Sequence, residues 1–143
     1  MWMEGFRYLG GCELGNGYWV LVLITKNNFM STGLQKNIFQ LNEEIPWVDA
    51  APGIKRQLFG YDDKIMMVKV KFEKNAVGTL HEHYHSQVSY VESGMFELTI
   101  GDNKRILKTG DGYYVPPDVI HGCLCLEEGV LIDVFSPCRE DFK

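Results

Sequence analysis

The stretch "HEHYHSQ", from His81 to Gln87, holds three of the chain's four histidines at every second position. Side chains alternate between faces along an extended strand, so His81, His83, His85 and Gln87 would project to one side. Two readings follow. The row is a solvated polar face, or it is a ligand set carried into a strand whose continuation, "VSYV", is apolar enough for a core.

Outward from this stretch, short strand-like runs recur from "NIFQL" at Asn37 onward. "IKRQLF", "IMMVKVKF", "MFELTI" and "RILK" are each closed by turn chemistry, in "GYDDK", "EKNAVG", "GDNK" and "TGDG". Short strands at such spacing predict an all-β sandwich or barrel. Alternation assigns faces: in "IMMVKVKF", Met66, Val68, Val70 and Phe72 turn to a core and Lys69 and Lys71 to water. The Pro-containing stretches "EIPWVDAAPG" and "VPPDVIHG" read as ordered loops. Residues 1–29 are Gly-rich and lack this alternation, so they read as an N-terminal extension to a domain spanning 30–143, with Met30 as a second candidate start.

A chain of 143 residues with 45% hydrophobic and 13% aromatic composition has material for one real core. A net charge of −5 and the lack of any Lys/Arg block argue against nucleic acid or an anionic bilayer as partner and favour a small ligand. The longest apolar run, "YWVLVLI" at Tyr18–Ile24, is too short for a membrane span. Glu4 and Glu13 around it, and the lack of a small-residue cleavage site, argue against a signal peptide. Cysteines at 12, 123, 125 and 138 form no CxxC pair, and reduced thiols in a cytoplasm are the simpler account.

The fourth histidine, His121, lies in "TGDGYYVPPDVIHG", delivered by a Gly turn, a strand and a Pro-Pro corner. The two stretches together resemble the double motif of the cupin superfamily. His81 and His83 match its paired histidines, Gln87 stands where Glu is usual, and Gly94, Gly110, Pro116 and His121 match in spacing. Asn75 and Asp118 stand at positions the family usually gives to Gly, and Cys125 where many members have Asn. The resemblance implies a single-domain cupin, a small antiparallel β-barrel or jelly roll, with one divalent first-row metal ion (Zn, Ni, Mn or Fe) held by His81, His83, Gln87 and His121. Imidazole suits such ions, and open positions mark a catalytic rather than a structural site. With Gln in place of Glu the ligand set is neutral and keeps the full metal charge for oxygen-rich or anionic ligands. His85 is read as a neighbour that orients a ligand or substrate, since a shift to the pair His83 and His85 would put Ser89 or Tyr90 at the fourth position. Cys123 and Cys125 share the parity of His121 and read as small barrel-filling side chains rather than thiolate ligands.

From Phe39 to Phe142 the chain resembles, more narrowly, the small single-domain cupins of the KdgF type, which linearise unsaturated uronates released from pectin or alginate. Asp133, Phe135 and Arg139 match the Asp, Phe and Arg that line the family's substrate pocket. In "LIDVF", Asp133 shares a face with Leu131 and Phe135, so desolvation can raise its pKa toward a working range for acid–base chemistry. Arg139 offers a planar fork for a carboxylate, and Phe135 an apolar wall for a sugar ring. Taken singly, Asp133 would cap a turn and Arg139 would pair with Glu140 or another surface acid. One of Tyr113 and Tyr114 should face the pocket or core, the carboxylates of "LNEEI" should be solvated, and Trp47 should serve a dimer contact or an end plug.

The expected activity is therefore an isomerase-like conversion of a 4,5-unsaturated uronate monosaccharide to its linear keto form by a cytoplasmic homodimer. A metal-dependent cupin oxygenase and a non-catalytic sugar-binding cupin are the alternatives, because a fold does not fix a function. A protein starting at Met30 is expected to fold, bind metal and keep its activity. Loss of soluble expression on that truncation would show instead that the Tyr18–Ile24 stretch packs into the core.

Overall fold

The structure, a computed structural model, describes residues 38–143 together with the backbone of 12–14 and 18–20. The chain divides into two compact units, Met1–Ser31 and Thr32–Lys143. In the first, β1 (Cys12–Leu14) and β2 (Tyr18–Val20) pair antiparallel. The remainder of "YWVLVLI" lies outside the described residues.

The second unit is all-β. Its strands are β3 (Val48–Ala51), β4 (Ile54–Tyr61), β5 (Met66–Phe72), β6 (Val77–His81), β7 (Ser86–Ile100), β8 (Asn103–Lys108), β9 (Gly112–Val115) and β10 (His121–Ser136), and a single 3-10 turn, Glu140–Phe142, follows. Every pairing is antiparallel. Among the described residues of the expected run "NIFQL" there is no strand: Ile38 and Phe39 are a bend and Leu41 begins a turn. That loop is tied down by Gln57, whose Nε2 donates to the carbonyls of Asn42 at 3.1 Å and Ile45 at 2.7 Å. "MFELTI" is not a separate strand either, but the second half of the 15-residue β7.

β7 and the 16-residue β10 organise the fold. They pair along almost their whole length, with register shifts between Cys125 and Leu131. Each half then has different neighbours. The first half of β7 and the second half of β10 join β9, β5, β4 and β3, while the other halves join β6 and β8. One ladder thus serves two layers, which is the jelly-roll solution to burying two sheet faces. Between the layers pack Ile54, Phe72, Val91, Phe96, Leu98, Cys125 and Leu131, with the Phe72 and Phe96 rings edge to face at 5.3 Å. Met66, Val68, Phe135 and Cys138 form a second cluster. The alternation expected of β5 holds at Met66, Val68 and Phe72, which are buried, and at Lys71, which is exposed, while Lys69 and Val70 are both half-buried.

Where the shared ladder bends, Gly94 has φ +86°, and a Cβ there would lie 2.6 Å from the Gly129 Cα and 2.7 Å from the carbonyls of Glu127 and Glu128. A Cβ on Gly129 would strike the Ser93 carbonyl. Asn75 (φ 68°) and Asp118 (φ 59°) also have left-handed backbones. Those two departures from glycine therefore fall on residue types that tolerate αL through local hydrogen bonding.

Gly94→Ala is expected to destabilise the protein by about 2 kcal/mol or more, since the left-handed backbone alone costs about 1–2 kcal/mol for a residue with a Cβ. Gly60→Ala, whose Cβ would meet nothing within 4 Å, should lie within about 0.5 kcal/mol of wild type. Denaturant midpoints of the two variants check this.

Candidate metal centre and active site

"HEHYHSQ" is not one strand. His81 ends β6, His83 and His85 lie in the connection, and Ser86 begins β7. The connection carries the chain from one layer to the other, so strict alternation breaks there. Its path is held by the Asp118 N–H, which donates to the His83 carbonyl at 2.8 Å. His121 opens β10 directly opposite His81. Between the layers lies a cavity of about 680 Å³, lined among others by His81, Gln87, His121, Asp133, Phe135 and Arg139.

The ligand nitrogens of His81, His83 and His121 all lie within 4.8 Å of one another. Each ring is oriented by a backbone carbonyl at its Nδ1: Thr79 for His81 at 2.8 Å, His85 for His83 at 3.1 Å, and Val119 for His121 at 2.8 Å. A carbonyl only accepts, so Nδ1 carries the proton and a neutral ring has its lone pair on Nε2. Burial, then the charge of Arg139, lowers the pKa of His83, and burial brings that of His121 to about 4, so both rings are neutral at physiological pH. His121 Nε2 is buried without a hydrogen-bond partner. His83 Nε2 lies 3.1 Å from Gln87 Oε1. Two acceptors thus face each other beside an orphaned third, an arrangement that a cation between them resolves. The donor set fits a divalent first-row ion.

Gln87 and Ser89 lie on the inner face of β7, and Ser89 stands across the ladder from Asp133. Gln87 Nε2 donates to Ser89 Oγ at 2.9 Å, and Ser89 Oγ donates to Asp133 Oδ1 at 2.6 Å. Burial raises the Asp133 pKa to about 6, while hydrogen bonds from Ser89 and Gln87 and the charge of Arg139 limit the rise. Tyr113 lines the cavity and Tyr114 is exposed. Burial raises the Tyr113 phenol well above its usual range, with Asp133 adding to the shift. Phe135 is buried and meets His83 edge-on at 5.7 Å.

Arg139 follows the cis Ser136–Pro137 bond. Its fork grips Asp141, Nε to Oδ1 at 2.9 Å and Nη2 to Oδ2 at 2.7 Å, and its guanidinium stacks on Phe142 at 4.3 Å. The surface acid it holds is thus Asp141. The His85 ring is buried beside Tyr84 and donates from Nε2 to the Cys138 carbonyl at 3.2 Å. Its backbone carbonyl accepts from His83 Nδ1, and the two rings also meet edge to face at 5.4 Å. Cys125 is buried, with its thiol on the Glu127 carbonyl at 3.1 Å, and burial pushes the Cys123 thiol up to about 12, so neither offers a ready thiolate. Sequence reasoning expected one of Tyr113 and Tyr114 in the pocket, which is Tyr113, and assigned no role to Ser89 or Asp141 by name. For Ser89 the parity with Gln87 was the available signal.

Residues 68–135 match the model of the Cupin domain family. The chain is 50% identical over 104 residues to the pectin degradation protein KdgF of Dickeya dadantii (strain 3937), covering 71% of this chain and 94% of that protein. Among solved structures, an RmlC-like cupin from Shewanella frigidimarina is similar at TM-score 0.75 and 44% identity, covering 77% of this chain and 99% of that one. KdgF from Halomonas sp. is similar at TM-score 0.72 and 40% identity, covering 75% and 99%.

His81→Ala, His83→Ala and His121→Ala should each sharply lower bound metal in the purified protein. His85→Ala should retain most of it, with a loss no greater than the roughly 10 to 100-fold that outer contacts contribute. Elemental analysis with chelator competition measures this. Equal loss from His85→Ala with full retention in His81→Ala would invert the assignment.

Proposed function

The chain belongs to the KdgF family of single-domain cupins, and we propose that it converts a 4,5-unsaturated uronate monosaccharide from pectin or alginate breakdown to its linear keto form. The observation that carries the reading is the cavity itself, which gathers a buried carboxylate of raised pKa, a histidine cluster with free lone pairs, and a guanidinium. The relative from Dickeya dadantii is named for pectin degradation, which supports this substrate class.

The reaction is an internal redox-neutral rearrangement. The anomeric hydroxyl loses its proton, the bond between the anomeric carbon and the ring oxygen breaks, and the released electron pair forms an enolate. Protonation of the neighbouring ring carbon then gives the ketone. One proton leaves an oxygen and one returns to a carbon, so a single group that accepts and then donates suffices. Asp133 is that group in this proposal, because a carboxyl with a pKa of about 6 is competent in both directions near neutral pH. Arg139 receives the substrate carboxylate: Asp141 occupies its Nε–Nη2 edge, and the Nη1 hydrogens remain for a second anion. Phe135 presents an apolar face to the ring. A metal ion bound by His81, His83, Gln87 and His121 would supply Lewis-acid polarisation of substrate oxygens. Its identity in this reading is Zn, Ni, Mn or Fe.

The catalytic unit of the proposal is residues 30–143, with 1–29 as an extension. A cytoplasmic homodimer is part of the same reading. The free thiols at Cys123, Cys125 and Cys138 support the reducing compartment, and the exposed apolar side chains Val88, Tyr90 and Tyr114 support a pairing surface. No helix among the described residues is long and apolar enough to cross a membrane.

Incubation with freshly lyased monosaccharide, with and without chelator, should show loss of the unsaturated chromophore above the buffer rate. Oxygen uptake in the aerobic sample would point to an oxygenase instead. Asp133→Asn keeps size and hydrogen bonding but cannot exchange a proton near neutral pH. It should retain metal and substrate binding while turnover falls by about 10² to 10⁴-fold. Arg139→Lys should chiefly raise KM, as a point charge replaces a fork. Wild-type turnover in Asp133→Asn would overturn the mechanism.

A further inference from the structure

We propose that Ser89 is a positioning residue that decides which end of the Gln87 carboxamide faces the histidine cluster. The inference rests on the reading that Gln87 belongs to the metal site, and it concerns a problem peculiar to glutamine there. A carboxylate at this position has an oxygen at either end. A carboxamide has one end that can meet a cation and one that repels it, and the two are nearly identical in shape.

The local hydrogen bonds choose between them, and the Asp133 carboxylate, which accepts from both Ser89 and Gln87, is the acceptor that anchors the choice. Ser89 Oγ lies 2.6 Å from Asp133 Oδ1 and commits its one proton to that carboxylate. Toward Gln87 the hydroxyl then offers only lone pairs, so the end of the amide it accepts is the NH₂ end, at 2.9 Å. The oxygen is left pointing at His83 Nε2, 3.1 Å away. Ser89 is 2% exposed and Gln87 5%, so solvent does not replace either contact. The geometry is set by the backbone: Gln87 and Ser89 share a face of β7, and Asp133 is the direct cross-strand partner of Ser89. A reversed amide would turn its oxygen onto the hydroxyl lone pairs and its N–H groups onto the ligand cluster. Ser89 touches no expected ligand position itself and acts through Gln87.

The test uses apo-protein titrated with Zn²⁺ or Mn²⁺ alone against a chromophoric chelator. Ser89→Ala should weaken metal binding by about 10 to 100-fold, as loss of an outer contact does, with an apo melting transition that stays cooperative. Ser89→Thr, which keeps the hydroxyl, should retain wild-type affinity. In a Gln87→Glu background, where both ends are oxygen, Ser89→Ala should change metal affinity little. An independent readout needs no variant: nuclear Overhauser contacts from the Gln87 side-chain NH₂ should reach the Ser89 Hβ protons. Contacts from that NH₂ stronger to the His83 ring than to Ser89 would overturn the proposal. So would wild-type affinity in Ser89→Ala, or an equal loss in the Gln87→Glu background, which would mean general damage to the site. If Gln87→Ala itself leaves affinity unchanged, the ligand assignment falls and this inference with it. If Gln87→Ala weakens binding and Ser89→Ala does not, only this inference falls.

Discussion

The backbones of β7 and β10 touch where Gly94 meets Gly129, too closely for a Cβ on either. That contact lets one antiparallel ladder bend sharply enough to belong to two layers. Without it the ladder would continue as a flatter sheet, and its two halves would not face each other across a cavity. The apolar core follows from the bend, because Phe96 and Leu98 after it meet Ile54 and Phe72 from the other layer. The chemistry also follows from it. His121 lies at one end of β10 and Asp133 near the other, yet both line the same cavity.

Within the cavity, backbone carbonyls do the preparatory work. Thr79, His85 and Val119 each take an Nδ1 proton, which aligns three imidazoles without any carboxylate partner. Burial lowers the pKa of His83 and His121, so both are held neutral with Nε2 as an acceptor. Such an arrangement is costly when empty, as the buried and unpartnered His121 Nε2 shows, and this latent cost favours a bound cation.

Charge in the site is divided between two poles. Asp133 is deep and pushed up by burial, but its pKa is kept near 6 by donors from Ser89 and Gln87 and by Arg139. Arg139 lines the same cavity with its charge already shared by Asp141. A substrate carboxylate arriving there exchanges or shares a partner rather than meeting a bare cation. The guanidinium meanwhile stays oriented by the Phe142 ring below it. The Ser89 hydroxyl connects the acid–base pole to the ligand pole through two short hydrogen bonds.

The sequence by itself determined what depends on local pattern. Period-two alternation in "IMMVKVKF" and "LIDVF" placed Met66, Val68, Phe72, Asp133 and Phe135 inside, as the structure has them. Residue types also carried the departures Asn75 and Asp118, both of which tolerate the left-handed backbone required there. The histidine spacing was read on a single strand, whereas His83 and His85 lie in a crossing, and the rings that the structure gathers are His81, His83 and His121. What only the tertiary structure decided were relations between segments distant in sequence. The bend of β7, the turning of His85 to Cys138, and the alignment of Gln87, Ser89 and Asp133 are of this kind. Periodicity fixes which face a side chain takes. Which partner it meets on that face depends on strand register and on how two layers close over one another, and that is set by the whole core at once.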